Sequence, residues 1–125
     1  MIHLDTSFLV RALVPGTPQD RRLRAWIAGG EPLAMSAVAW AELLCGPLEP
    51  AAVDLVARFV SARLPFGEGE AALAATLFNA AGRRRGSLVD CMIAATALRA
   101  GASLATGNPT DFRRFAASGL VLEKP

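Results

Sequence analysis

The chain has 125 residues, of which 53% are hydrophobic and 19% are charged, and its formal net charge is +2. A chain of this length is expected to form one domain with a substantial buried core. The small net charge does not by itself indicate a nucleic-acid partner. Arginine accounts for 12 of the 13 basic residues, which favours a phosphate-bearing partner, although an alanine-rich genomic composition explains the bias equally well.

The sequence predicts neither export nor membrane insertion. Asp5 interrupts the apolar N-terminus, so no signal peptide is expected, and no uncharged stretch approaches the roughly 18 residues of a membrane span. Cys45 and Cys91 lack the spacing of a metal or redox motif, and we expect both to be buried apolar residues in a reducing compartment. The predicted location is therefore the cytoplasm, with no membrane partner.

Short apolar segments alternate with helical patterns along the whole chain. Caps, periodicity and Gly or Pro stops predict helices over residues 6–13, 18–28, 36–46, 50–60, 68–85, 87–99 and 109–115. The apolar runs between them predict strands over residues 2–4, 32–35, 63–66, 102–105 and 120–122. This order predicts one three-layer α/β domain, with a mainly parallel central sheet of four or five short strands flanked by helices.

Acidic and amide side chains lie close to the ends of these predicted strands. Asp5 follows the first strand, and Asn108 and Asp111 follow the strand that ends at residue 105. Ligands of parallel sheets bind outside the carboxyl ends of the strands. Asp5, Asp90 and Asp111 could each instead cap a helix or complement its dipole, so a structural role stays open for all three.

Glu42 has less structural reason to be charged, because it lies in mid-helix among apolar residues, where a solvated strip is the alternative. Carboxylates gathered together either acquire raised pKa values or bind a cation. Oxygen ligands without paired His or Cys favour Mg²⁺ or Mn²⁺ over zinc. His3 is the only histidine and is interpreted as structural, so a metal-activated water is a simpler expectation than a histidine base.

Four segments resemble the motifs of PIN domains, and they occur in the same order. They are Asp5-Thr6-Ser7 after the first strand, Ala41-Glu42-Leu43, the segment from Leu88-Val89-Asp90-Cys91 to Ala97, and the segment from Leu104 to Phe112. The resemblance covers essentially the whole chain. Within the family, the size and motif order resemble the VapC-type toxins of bacterial toxin–antitoxin pairs.

This resemblance implies a metal-dependent endoribonuclease that hydrolyses RNA with Mg²⁺, for which Mn²⁺ would substitute. It implies that Asp5, Glu42 and Asp90 are metal ligands and catalytic residues, and that the segment over residues 106–112 supplies a fourth ligand. Asn108 stands where many family members carry aspartate. Asp111, which is then also a catalytic residue, or a water molecule is therefore the alternative fourth ligand, and the number of metal ions stays open.

The resemblance also implies a cognate antitoxin and a homodimer as protein partners. The candidates for binding the RNA or orienting Asp5 are hydroxyl and basic residues near the acids, namely Thr6, Ser7, Thr106, Arg113 and Arg114. The run Arg83-Arg84-Arg85 has two interpretations, because it could guide an RNA backbone or neutralise the end of a helix.

Two other functions stay open. The amide at Asn108 is compatible with a catalytically weak PIN module that binds RNA or a partner without cleaving it. The other is a different small Mg²⁺-dependent phosphoryl hydrolase. It is less favoured, because the chain lacks the second aspartate that phosphatases of the haloacid-dehalogenase type carry two residues after the first.

Overall fold

A four-stranded parallel sheet forms the centre of the protein in the computed structural model, which describes residues 1–124. β1 (Ile2–Leu4) lies between β2 (Leu33–Ser36) and β4 (Ser103–Ala105), and β3 (Ala62–Leu64) pairs with the outer edge of β2. Because every pairing is parallel, the four carboxyl ends lie at the same edge. The predicted α/β architecture with a parallel sheet is confirmed.

Helices cover both faces of this sheet. Within residues 1–124 they are α1 (Thr6–Ala12), α2 (Pro18–Ala28), α3 (Ala37–Cys45), α4 (Pro50–Phe59), α5 (Glu68–Ala80), α6 (Leu88–Arg99), α7 (Pro109–Phe112) and a 3₁₀ helix (Arg113–Ser118). None of the helices in this part of the chain is long and apolar enough to cross a membrane.

Local cap signals place several of these helices. The Thr17 hydroxyl accepts a hydrogen bond from the Asp20 amide at 3.0 Å, and Pro18 follows as the first residue of α2. The Ser36 hydroxyl accepts one from the Ala39 amide at 3.0 Å, so α3 begins directly after β2. Each cap satisfies a backbone donor that a helix start leaves without a partner.

β1, β2 and most of β4 are buried, as a sheet between two helical layers requires, whereas the edge strand β3 is largely exposed. Leu4, Leu33 and Leu104 are each at most 2% exposed, and His3 is 1% exposed in the same sheet. Full burial of a leucine side chain contributes about 1.5–3 kcal/mol to stability. This packing makes the sheet a rigid support for the residues that follow its carboxyl ends.

Several predicted elements differ from the structure. The helix predicted over residues 68–85 ends at Ala80, because Gly82 (φ +81°) and Arg83 (φ +57°) leave the helical region. The strand predicted over residues 63–66 lies at Ala62–Leu64, since Pro65 has no amide hydrogen to extend it. The strand predicted over residues 120–122 is a single bridge between Leu104 and Leu122.

Two further predictions need correction. The helix predicted over residues 109–115 divides into α7 and the 3₁₀ helix that begins at Arg113. Cys91 is buried as predicted, but Cys45 is exposed. Cys45 is the last residue of α3, directly before Gly46 and Pro47, where the chain leaves the core.

Candidate active site

Asp5 lies at the carboxyl end of β1 and is 5% exposed. Its amide donates to the Ala105 carbonyl at 2.9 Å, which joins it to the end of β4. The hydroxyls of Ser7 and Thr106 donate to the same carboxylate oxygen, Oδ2, at 2.7 and 2.9 Å. These bonds fix the orientation of the carboxylate, and Oδ1 is the oxygen that remains for a ligand.

The same hydroxyls join the loop after β4 to the turn between β1 and α1. Ser7 Oγ accepts a hydrogen bond from the Gly107 amide at 2.9 Å, and Thr106 Oγ1 accepts one from the Asn108 amide at 3.0 Å. A side chain at Gly107 would place its Cβ 2.7 Å from the Ser7 carbonyl oxygen. Gly107 therefore permits the close backbone contact on which this hydrogen-bond network depends.

Glu42 projects from α3 and is exposed to solvent. The Thr6 hydroxyl donates to the Ala39 carbonyl at 2.7 Å, which ties the start of α1 to α3 one turn before Glu42. Partial loss of water raises the pKa of the Glu42 carboxyl, and the negative charges of Asp5 and Asp90 raise it further. Glu42 is thus close enough to both aspartates for their charges to affect it.

Asp90 lies in the first turn of α6, with 31% of its side chain exposed. Burial raises the pKa of its carboxyl, as do the nearby charges of Asp111 and Asp5, while Arg114 and Arg84 act in the opposite direction. Because the charges of Asp5, Asp90 and Asp111 act on Glu42 or Asp90, the four predicted acids lie near one another.

Capping does not account for these acids within residues 1–124. Asp5 precedes α1 without a side-chain cap hydrogen bond. Ser87 precedes α6 but donates its hydroxyl to the Arg84 carbonyl at 2.6 Å, so it forms no capping box with Asp90. Asn108 precedes α7 and likewise makes no side-chain cap bond. The hydrogen bonds therefore do not support capping, whereas Asp90 and Asp111 do lie in the first turns of α6 and α7, where an acid complements the helix dipole.

A cleft of about 120 Å³ combines acidic and basic side chains next to this group. Its lining consists of Asp90, Asp111, Ser87, Gly86 and the three arginines Arg84, Arg85 and Arg114. Arg84 and Arg85 lie beyond the end of α5, whereas Arg83 turns back onto its last turn, where its guanidinium donates to Asn79 Oδ1 and lies 5.5 Å from the Phe78 ring centroid. The sequence left the role of these arginines ambiguous, because it showed only their charge. Their position depends on where α5 ends, and that end was predicted incorrectly.

Some candidate residues lie elsewhere or have other contacts. Arg113 is exposed and is not part of the cleft lining, and Asn108 is also exposed. The Thr6 hydroxyl is engaged with the backbone of α3. His3 is buried within the sheet, and burial with the nearby N-terminal charge lowers its pKa to about 4.

The carboxylate oxygens of these acids are suitable ligands for a hard divalent cation. Carboxylates that raise one another's pKa are stabilised when a cation binds between them, and oxygen donors select Mg²⁺ or Mn²⁺. Within residues 1–124, no three Asp, Glu, His or Cys side chains converge closely enough to hold a metal ion in their present conformations. Binding would therefore require the carboxylates to move closer together.

The family model for the PIN domain matches residues 2–118. This chain belongs to the PIN-domain family. The predicted family resemblance is thereby confirmed over nearly the whole chain.

Solved structures of toxin–antitoxin complexes and toxins resemble this PIN domain. FitAcB from Neisseria gonorrhoeae is 27% identical, with 98% of this chain and 97% of that chain covered and a TM-score of 0.69. VapBC2 from Rickettsia felis, solved with a DNA fragment from its promoter, is 23% identical, with 98% of each chain covered and a TM-score of 0.75.

VapC20 from Mycobacterium tuberculosis, described as a toxin that cleaves the sarcin–ricin loop, is 21% identical over 100% of both chains, with a TM-score of 0.65. The comparisons with VapBC2 and VapC20 support the fold. No curated protein matches this chain at a significant level.

Proposed function

We propose that this PIN domain is a metal-dependent endoribonuclease and the toxin of a VapBC-type pair. The observation that carries the proposal is the gathering of Asp5, Glu42, Asp90 and Asp111 from four different elements, close enough that the charges of neighbouring acids raise the pKa values of Glu42 and Asp90. The similarity to VapC20, described as cleaving the sarcin–ricin loop, supports RNA as the substrate.

We infer that Asp5, Glu42 and Asp90 are ligands of the metal ion and that Asp111 is the fourth. When bound, Mg²⁺ or Mn²⁺ would acidify a water molecule and neutralise charge on the scissile phosphate. Ser7 and Thr106 hold the Asp5 carboxylate through Oδ2. Because the side chain is already fixed, Oδ1 can bind the metal ion without a further loss of conformational entropy. The buried position of Asp5 keeps this orientation fixed.

Hydrolysis adds water across one RNA phosphodiester. A bond forms between the water oxygen and phosphorus, the bond from phosphorus to the leaving ribose oxygen breaks, and that oxygen gains a proton. Arginines beside the acids favour binding of the polyanion, because phosphate contacts position RNA without reading its sequence. The single histidine is buried in the sheet, so it is not placed to exchange a proton with substrate.

The activity is tested with the chain purified free of any antitoxin and incubated with structured RNAs. We expect cleavage with Mg²⁺ or Mn²⁺ and none with EDTA. The Glu42→Gln variant, which keeps the shape of the side chain, serves as the control for contaminating nucleases. Cleavage that is equal in wild type and variant would contradict the proposal.

We propose a cognate antitoxin as the protein partner, which the similarity to FitAcB and VapBC2 supports. An apolar groove of about 210 Å³ between the α1–α2 region and α4 offers a surface for it. Ile27 and Leu55 line this groove and are 45% and 47% exposed, which is high for large apolar side chains. Homodimer formation rests on the family resemblance alone.

A second candidate is a PIN module that binds RNA without cleaving it. The present spacing of the acids favours this alternative, because no three of them converge within the described residues. The neutral amide at Asn108 is in keeping with it. The two candidates are separated by RNA-binding and cleavage measurements on the same preparation, since the second function predicts metal-independent binding and no new RNA ends.

A further inference from the structure

Arg114 is unusually enclosed for an arginine beside acidic residues. It lies in the 3₁₀ helix, 18% of its side chain is exposed, and its guanidinium carbon lies 4.8 Å from the centroid of the Phe115 ring. The ring contact holds the guanidinium in place through a cation–π interaction. Arg114 therefore presents a largely preordered cationic group to the cleft.

The donors of this guanidinium lack acceptors among residues 1–124. Nε and Nη2 are buried and make no hydrogen bond there, and the nearest carboxylate oxygen, Asp90 Oδ2, lies 3.7 Å from Nη2. That distance is too long for a hydrogen bond. Buried charged donors are costly, and Asp90 answers this charge only through an ion pair of 3.7 Å, so the guanidinium beside the cleft can still meet an acceptor from outside the chain.

Two further arginines share the cleft, on a loop with a defined shape. Gly86 (φ +80°) turns the chain before α6. Ser87 secures the loop, because its amide and hydroxyl both donate to the Arg84 carbonyl, at 3.2 and 2.6 Å. Arg84, Arg85 and Arg114 stand against two carboxylates, so the cleft lining has a net positive charge despite its acids.

We propose that the guanidinium of Arg114 binds a phosphate of the RNA substrate, with Arg84 and Arg85 adding charge at the cleft, and that this contact does not require the metal ion. The guanidinium fork matches two phosphate oxygens, whereas an ammonium group offers a point charge. The inference rests on the proposed function, because RNA is the ligand that brings phosphate to this cleft. The phosphate contact is assigned to Arg114 and not to its exposed neighbour Arg113, which is outside the cleft lining.

RNA binding in EDTA tests this contact apart from cleavage. A short, fluorescently labelled single-stranded RNA of mixed sequence is titrated with wild type and with three variants, Arg114→Met, Arg114→Lys and the matched control Arg113→Met. We expect Arg114→Met to weaken binding roughly tenfold, Arg114→Lys to recover part of that loss, and Arg113→Met to change the dissociation constant less than about twofold. Equal affinities for wild type and Arg114→Met would overturn the proposal.

A second measurement uses the wild-type protein, so it stands if Arg114→Met folds poorly. The Nε–H resonance of Arg114, assigned by its absence from the spectrum of Arg114→Lys, is followed by NMR as inorganic phosphate is added in metal-free buffer. We expect this resonance to shift in a saturable manner and that of Arg113 to stay in place. An Arg114 resonance that does not move would overturn the proposal.

The outcomes also separate this inference from the proposed activity. RNA binding that depends on Arg114 in a protein that never cleaves RNA would support the phosphate contact and contradict the nuclease. Metal-dependent cleavage with RNA binding that is indifferent to Arg114 would support the nuclease and contradict the phosphate contact.

Discussion

Among single residues, Ser7 and Thr106 have the most direct influence on the proposed site, because both donate to Oδ2 of Asp5. Partners of this kind orient a ligand, and their loss typically weakens metal affinity by about 10–100-fold. We expect Ser7→Ala and Thr106→Val each to weaken Mn²⁺ binding at least about tenfold, as measured by calorimetric titration.

Thr6→Val is the matched control for these variants. Its hydroxyl donates to the Ala39 carbonyl rather than to Asp5, so its loss is expected to lower the free energy of unfolding by about 1 kcal/mol with little change in metal affinity. If Thr6→Val weakened Mn²⁺ binding as much as Ser7→Ala, the orienting role of the Asp5 network would be wrong.

The fourth ligand provides a second prediction at this scale. Asp111 lines the cleft, and its charge raises the pKa of Asp90, whereas Asn108 is exposed and neutral. We therefore expect Asp111→Asn to reduce the cleavage rate more than Asn108→Ala, mainly through weaker metal affinity, and Asn108→Asp to keep activity or tighten metal binding. Mn²⁺ titrations of the cleavage rate rank the variants, and an inactive Asn108→Ala beside an unaffected Asp111→Asn would reverse the assignment.

The acids could be predicted from the sequence because they stand in local motifs at the ends of elements. The hydrogen bonds of Asp5 could be predicted less well, since Ser7 and Thr106 are 99 residues apart and meet only when β1 and β4 pair. The contact of Thr6 with Ala39 has the same origin, as it depends on how α1 meets α3. Residue type indicated which side chains could bind a metal ion, and tertiary packing decided which group each hydroxyl contacts.

At the scale of elements, the site depends on the close approach of the β4–α7 loop to the β1–α1 turn. We expect Gly107→Ala to push these segments apart, because its Cβ would lie 2.7 Å from the rigid Ser7 carbonyl oxygen. Overpacking of this kind costs about 1–3 kcal/mol, and the displaced Ser7 and Thr106 should also weaken Mn²⁺ binding. Urea unfolding and Mn²⁺ titration together measure both effects.

Gly67→Ala is the control for that substitution, since its Cβ would meet the flexible Glu70 carboxylate at 3.1 Å rather than backbone. It should leave Mn²⁺ affinity unchanged. Gly107→Ala with wild-type stability and metal affinity would show that the loop contact is not required.

Element boundaries were predicted well where a local signal determines them. Thr17 with Pro18, and Ser36, start helices by capping, and these signals lie within a few residues of one another. The end of α5 was predicted incorrectly because the glycine stop at Gly82 was overlooked among helix-forming residues. Gly82 is left-handed, and the Gly82 and Arg83 amides donate back to the Asn79 and Phe78 carbonyls at 3.4 and 2.9 Å, which closes the helix. That error hid the position of Arg84 and Arg85.

At the scale of the whole molecule, His3 should make stability depend on pH. It is 1% exposed, both ring nitrogens lack a hydrogen-bond partner within residues 1–124, and its pKa falls from 6.5 to about 4. As pH falls below 6.5, His3 becomes protonated in the unfolded chain, whereas in the folded protein it stays neutral until about pH 4. The free energy of unfolding should therefore fall, by about 2–3 kcal/mol between neutral pH and pH 4.5.

Urea unfolding of wild type and His3→Leu across this pH range isolates the effect. The raised pKa values of Glu42 and Asp90 act in the opposite direction, since their folded forms gain protons more readily, but they are common to both proteins. We expect the stability of His3→Leu to decline less on acidification. Parallel pH profiles for the two proteins would show that His3 is not the titrating group.

Carboxylates from separate elements are proposed to form one metal site that hydrolyses RNA. Mn²⁺ titration of the RNA cleavage rate, for wild type beside Asp5→Asn, Glu42→Gln and Asp90→Asn, tests it most directly. We predict saturable, metal-dependent cleavage by the wild type and loss of at least about a hundredfold in each folded variant, because each amide keeps the shape but removes a charged ligand. Wild-type cleavage rates in all three variants, or cleavage by the wild type that persists in EDTA, would show that these carboxylates do not form a catalytic metal site.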